Sequence, residues 1–262
     1  MNKKLYIGTN TKMYKTIADT VFFLERLQEL TSDISRDEMC LFVIPSFTTL
    51  EKARSCIKDK AILLGAQNMC WEDQGQFTGE ISPLMLKEIG IDIIEIGHSE
   101  RRHVMGETDQ DENKKVLAAL RHGFRPLLCI GETEEQKEYG IADEVLAMQL
   151  KIGLHGVTAE QLGHCMIAYE PVWAIGVSGK PASAEYADEK HLVIKKLLRD
   201  LYGGTAASVP VLYGGSVNNN NAVELIQMAH VDGLFIGRSA WDADNFNRII
   251  RDVLHEFAIK HH

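Results

Sequence analysis

Eight short apolar runs begin at positions 5, 41, 62, 91, 126, 166, 209 and 234, separated by between 21 and 43 residues. They read Leu5–Gly8, Leu41–Ile44, Ile62–Gly65, Ile91–Ile96, Pro126–Ile130, Met166–Tyr169, Val209–Tyr213 and Leu234–Ile236. Ile, Leu, Val and Phe dominate them without polar alternation, as in strands buried on both faces. Every interval leaves room for a helix. An apolar stripe at helical spacing runs through Thr20 to Leu27, and Val116–Leu120 and Leu192–Leu201 read as further amphipathic helices. Thr133-Glu134-Glu135-Gln136 and Thr158-Ala159-Glu160-Gln161 fit the capping box, in which the hydroxyl and the carboxamide satisfy free backbone donors. Eight strand–helix units in 262 residues predict a (β/α)8 barrel forming one domain over residues 1–262. The rival is an open doubly wound sheet, but Gly8-Thr9-Asn10-Thr11-Lys12 follows the first strand where a dinucleotide fold would place its glycine-rich turn.

Composition narrows the function classes. Lys and Arg number 28 against 37 Asp and Glu, a formal charge of −9, with no long basic cluster. That argues against nucleic acid or an anionic membrane as partner. No apolar run approaches the roughly 20 residues of a membrane span, and none near the start is long enough for a signal peptide. Cys40, Cys56, Cys70, Cys129 and Cys165 are scattered and odd in number, which predicts free thiols and a cytoplasmic protein.

In such a barrel, chemistry sits just past the C-terminal ends of the strands. Those positions hold Asn10 and Lys12 after the first strand, and Gly97, His98, Ser99 and Glu100 after the fourth. Glu170 and Pro171 follow the sixth, Gly214-Gly215-Ser216 the seventh and Gly237-Arg238-Ser239 the eighth. Taken singly, each has an ordinary reading: a solvated lysine, a structural histidine, a strand-ending glutamate, a glycine turn. Together, a cation, an imidazole and a carboxylate from three rims of one mouth suit proton abstraction beside a carbonyl. The carboxylate takes the carbon-bound proton, while imidazole and ammonium stabilise the charge that builds on oxygen. Glycine turns after the last two strands offer backbone donors to a phosphate. These residues point to an isomerase or lyase acting on a small phosphorylated carbonyl compound. Cys129 reads as a small buried hydrophobe, Trp173 as a packing residue, Asn218 to Asn221 as a capped turn, and Glu132, Glu134 and Glu135 as a solvated helix start.

Several longer stretches resemble the triosephosphate isomerase family, whose fold is the TIM barrel. They are Ala168-Tyr169-Glu170-Pro171-Val172-Trp173-Ala174-Ile175-Gly176, Ile96-Gly97-His98-Ser99-Glu100-Arg101-Arg102, Tyr213-Gly214-Gly215-Ser216-Val217 and Asn10-x-Lys12-Met13. Gly65-Ala66-Gln67-Asn68-Met69 and Gly75-Gln76-Phe77-Thr78-Gly79-Glu80 resemble that family's interface loop. The resemblance implies Glu170 as the base, His98 as a neutral electrophile and Lys12 as the cation that holds the anionic substrate. It further implies Asn10 at the carbonyl end, Glu100 organising Lys12 and His98, and Gly176, Ser216, Gly237 and the backbone of Arg238 on the phosphate. Residues 171–182, including Pro171, Val172, Trp173, Ala174, Ile175, Gly176, Val177, Ser178 and Gly179, would form a lid. Thr78 would enter a neighbour's site, implying a homodimer. No metal or organic cofactor is implied.

Three departures touch substrate choice: Thr11 replaces an aromatic residue, the lid tip is one residue longer, and Gly237-Arg238-Ser239 replaces a glycine pair. The Arg238 side chain either turns into the phosphate pocket or away from it. The leading expectation is interconversion of glyceraldehyde 3-phosphate and dihydroxyacetone phosphate, as in glycolysis and gluconeogenesis. The alternatives are a paralogue acting on a four-carbon erythrulose phosphate and a barrel that binds a phosphorylated ligand without catalysis.

Overall fold

The computed structural model describes residues 3–175 and 179–261. Its elements run β1 (Leu5–Asn10), α1 (Ile17–Leu30), β2 (Met39–Ile44), α2 (Leu50–Cys56), β3 (Leu63–Ala66), α3 (Pro83–Ile89), β4 (Ile93–Ile96), α4 (Ser99–His103), α5 (Asp109–Arg121) and β5 (Arg125–Ile130). They continue with α6 (Glu134–Glu138), α7 (Ala142–Gly153), α8 (Ala159–Leu162), β6 (Met166–Tyr169), α9 (Ala184–Tyr202), β7 (Val211–Tyr213), α10 (Ala222–Gln227), β8 (Gly233–Ile236) and α11 (Ala243–His261). The strands are parallel and close in sequence order, β8 pairing back onto β1 through Tyr6–Gly233 to Thr9–Ile236. The chain is thus a (β/α)8 TIM barrel.

Strand parity divides the apolar residues into two layers, because successive side chains of a strand point to opposite faces. Phe42, Ile44, Ile93, Leu127, Cys129, Met166, Ala168, Leu212 and Phe235 fill the barrel interior. Their neighbours Leu41, Val43, Ile94, Leu128, Ile167, Val211 and Leu234 face the helices, where they meet residues such as Leu24, Val116, Leu146, Ile194 and Ile250. Both faces are buried, which explains the unbroken apolar runs in the sequence.

Helix starts are set locally. The capping boxes of Thr133 with Gln136 and Thr158 with Gln161 both form, at α6 and α8. Two more open α1 and α5, where Thr16 pairs with Asp19 and Thr108 with Asp111. Aspartate stands there in place of the usual Glu or Gln, so the sequence pattern passes them over. Among the described residues no helix is long and apolar enough to cross a membrane.

Candidate active site

The C-terminal mouth of the barrel opens into a cavity of about 350 Å³. Asn10, Lys12, His98, Glu100, Glu170, Ser216, Gly237 and Arg238 all line it, together with Ala174 and Ile175 of the expected lid. Gly176, Val177 and Ser178 lie outside the described residues, and with them the longer lid tip.

Lys12 is held in a left-handed backbone conformation, φ 52°, an unusual state for a lysine that its surroundings must impose. The Asn10 side-chain carbonyl accepts the Lys12 N–H at 2.6 Å, and the Ser46 hydroxyl donates to the Lys12 carbonyl at 2.8 Å. These bonds project the Lys12 ammonium into the mouth, where Glu100 Oε1 meets it at 2.6 Å. Glu100 is half exposed, so the pair sits in a polar, solvated part of the site.

His98 stands at the end of β4, after Gly97, whose φ of +76° allows the chain to turn inward there. His98 is the N-cap of α4, and its Nδ1 accepts the Glu100 backbone N–H at 3.2 Å. An accepting Nδ1 carries no proton, so the neutral ring has its N–H on Nε2. That nitrogen faces Glu170 Oε1 at 3.6 Å.

Glu170 follows β6 and is buried, 2 % exposed. Its other oxygen accepts the Ser99 backbone N–H at 3.0 Å. Gly214 leaves room beside it, since a Cβ there would come within 2.9 Å of Glu170 Cγ. Cys129 lies buried nearby, and burial followed by the Glu170 charge pushes its thiol well above the usual range. It is an inert thiol facing the barrel interior, as its sequence context predicts.

On the phosphate side, Gly214, Gly215, Ser216 and Asn218 after β7 face the 3-10 turn Arg238–Ala240 after β8. Arg238 is exposed at the cavity rim, and among the described residues it forms no ion pair. Thr11 is fully buried and does not line the cavity. Its change from an aromatic residue is therefore taken up behind the mouth.

One expectation fails. Glu132 is not part of a solvated helix start: it is fully buried, whereas Glu134 and Glu135 are exposed in the first turn of α6. Three donors explain the burial. The hydroxyl of Tyr169 reaches both Glu132 oxygens at 3.0 and 3.1 Å, the Trp173 indole N–H donates at 2.8 Å and the Tyr186 hydroxyl at 2.9 Å. A buried carboxylate with three donors tolerates its desolvation. Trp173 is thus the anchor of residues 171–175, with the Lys137 ammonium 3.4 Å from its ring centroid. These donors come from three separate elements, so no short motif announces them.

A second residue escapes the sequence reading altogether. Glu95 faces the barrel axis from β4 and is 1 % exposed. Both of its oxygens accept from Asn10 Nδ2, at 2.8 and 3.0 Å. Gln67 completes the network, donating to Asn10 Oδ1 at 3.0 Å and to the Lys12 carbonyl at 2.8 Å. Burial and the Glu170 charge push the Glu95 carboxyl well above the usual range, against the Asn10 hydrogen bond and the Lys12 charge. A single acid inside Ile93-Ile94-Glu95-Ile96, in the inward parity of Ile93, is the signal that could have found it.

The sequence pattern of the triosephosphate isomerase family matches residues 5–253. The chain belongs to the triosephosphate isomerase family. Similar curated proteins are named L-erythrulose-1-phosphate isomerase. That of Rhizobium etli is 47% identical over 251 residues, covering 95% of this chain and 92% of its own. That of Rhizobium meliloti is 47% identical over 253 residues, covering 95% and 96%. That of Brucella abortus biovar 1 is 47% identical over 248 residues, covering 94% and 95%. The family membership and these relatives make the chain a sugar-phosphate isomerase.

Proposed function

We propose that this isomerase interconverts four-carbon ketose phosphates, taking L-erythrulose 1-phosphate as substrate. The observation that carries the reading is the name shared by relatives with which the chain is 47% identical over nearly its whole length. The three-carbon reaction of glycolysis and gluconeogenesis has support only from the family as a whole.

The chemistry is a proton shift between adjacent carbons. Glu170 removes the proton from C3, the C–H electrons form a C2–C3 double bond, and the C2 carbonyl oxygen becomes anionic. His98 Nε2–H and the Lys12 ammonium stabilise that oxygen as charge develops. Glu170 returns the proton to C2, a hydroxyl proton passes between the two oxygens by way of His98, and the carbonyl stands at C3. Counted from the other end, the product is an erythrulose 4-phosphate. Glu100 holds Lys12 in place, and Asn10 faces the carbonyl end. Gly176, Ser216, Gly237 and the backbone of Arg238 bind the phosphate, and the exposed guanidinium adds positive charge at that rim. Residues 171–182 close over the substrate, with Glu132 as the anchor of Trp173, and exclude the water that would promote loss of phosphate from the intermediate.

Thr78 completes the site of a second copy in a homodimer. Thr78 and Phe77 are exposed on their loop, and Met13, beside Lys12, is 93 % exposed. Such apolar surface next to the mouth suits a protein interface. Five free cysteines, four of them buried, fit a cytoplasmic location. A barrel that only binds its ligand has no need of Lys12, His98 and Glu170 together on one cavity.

Purified protein assayed with L-erythrulose 1-phosphate and with dihydroxyacetone phosphate tests this. The expected kcat/KM is larger for the four-carbon substrate by a factor on the order of a hundred. A preference for the three-carbon substrate would overturn the reading.

A further inference from the structure

No step above uses the Glu95 carboxyl, although it is buried among Ile93, Leu127, Cys129 and the other apolar residues of the barrel interior. Burying a carboxyl carries a desolvation cost that a leucine or isoleucine at the same place would avoid. The barrel does not require the acid for closure, since its pairing is made by the backbone. The position of the group points to the substrate.

One atom each from Glu95, His98 and Glu170 lie within 4.8 Å of one another. A substrate group held between His98 and Glu170 therefore has the Glu95 carboxyl as a close neighbour, just beneath the residues that line the cavity. The barrel order gives that place a direction. β4 stands opposite β8 in a closed ring of eight strands. A ligand with its phosphate at the β7 and β8 turns and its reacting carbons below Glu170 points its far end across the ring, toward β3 and β4. In a three-carbon substrate the chain ends at the reacting pair. In erythrulose 1-phosphate, C4 and its hydroxyl continue beyond it.

We propose that Glu95 is the specificity-determining residue for the carbon chain beyond the reacting pair, hydrogen-bonding the terminal hydroxyl of the four-carbon ketose phosphate while holding the Asn10 amide beside it. This rests on the four-carbon function proposed above. A carboxyl that retains its proton both donates to and accepts from a hydroxyl, and it places no second negative charge beside the base. The elevated proton affinity of Glu95 agrees with that role. A site built to pair a substrate hydroxyl rejects the analogue that lacks it, because the buried group is then left unsatisfied.

The test compares the wild type with Glu95→Gln and Glu95→Leu on L-erythrulose 1-phosphate and dihydroxyacetone phosphate. The quantity read is the ratio of the two kcat/KM values, in which a general loss of folding or activity cancels. Glu95→Leu is expected to lower the four-carbon to three-carbon ratio by about a hundredfold, chiefly through KM for the four-carbon substrate. Glu95→Gln, which keeps a donor and an acceptor and the shape of the side chain, is expected to lower it by about tenfold. A parallel titration with inert erythritol phosphate and glycerol phosphate is expected to show the same selective loss of binding. An unchanged ratio in both variants, whatever happens to the absolute rates, overturns the role of Glu95. A wild type inactive on the four-carbon substrate overturns the function itself, so the two failures are distinguishable.

Discussion

Two pairs of glutamates, three of the four buried and Glu107 nearly so, sit on opposite sides of the same strand layer. Glu170 lines the barrel mouth with Glu95 beneath it, and Glu107, just before α5, and Glu112, in the first turn of α5, lie on the outside. In the outer pair, burial raises Glu107, but Arg101 and Lys115 outweigh it with hydrogen bonds and charge and hold the group below the usual range. Lys115 itself is 2 % exposed and meets Glu107 at 2.6 Å. Glu112 is fully buried, neither of its oxygens has a well-formed hydrogen bond among the described residues, and burial, with the neighbouring Glu107 adding to it, pushes it up to about 7. Among the described residues the mouth pair has no comparable counterion at contact. Its partners are an amide, an imidazole and a backbone N–H, with Lys12 committed to Glu100. A carboxylate held by cations, as Glu107 is, serves the fold, and carboxyls held only by neutral donors at the cavity are placed to act on a ligand.

Substitutions can break that comparison. The largest effect belongs to Glu170→Asp, which keeps the charge but withdraws it by one methylene. Turnover is expected to fall by about a hundredfold or more with little change in KM or thermal stability, as steady-state kinetics and a melting curve would register. Undiminished turnover removes the base from the mouth pair. Next comes Glu107→Gln, which leaves Lys115 buried without its counter-charge. Unfolding in urea should reveal a loss of about 3 kcal/mol with kcat retained; a loss of kcat at full stability would erase the division between the two pairs.

The smallest effect concerns Glu112. The folded protein holds this proton up to about pH 7, whereas an ordinary glutamate releases it near 4.5. Its contribution to stability is therefore complete below pH 4.5 and is lost as pH rises through 7. Glu112→Gln, a mimic of the protonated form, should stabilise the protein by about 1–2 kcal/mol at pH 8 and by almost nothing at pH 4.5. Equal effects at the two pH values would mean that Glu112 is charged in both.

Much of this architecture is legible in the chain itself. All eight runs became strands, with ends displaced by at most two residues, because a strand covered on both faces must be apolar throughout. The boundary shifts have a local cause: Ile91 and Val209 are apolar but precede the first ladder bonds of β4 and β7. The mouth residues were legible because catalytic barrels place them at strand ends, and Lys12, His98 and Glu170 stand there in the structure. Glu132 misled because it shares its sequence neighbourhood with truly exposed acids, while its donors come from β6, the lid base and α9.

Periodicity, strand-end position and helix caps thus settled the barrel, its direction and the residues at its rim from sequence alone, since each depends on near neighbours and on strand parity. Only the closed structure decided which acids are solvated and which are buried, that Asn10 turns its amide toward Glu95, and that His98 keeps its proton on Nε2. Those facts depend on groups brought together across the barrel from distant parts of the chain. The proton affinity of a carboxyl follows what surrounds it in space and not what precedes it in the chain.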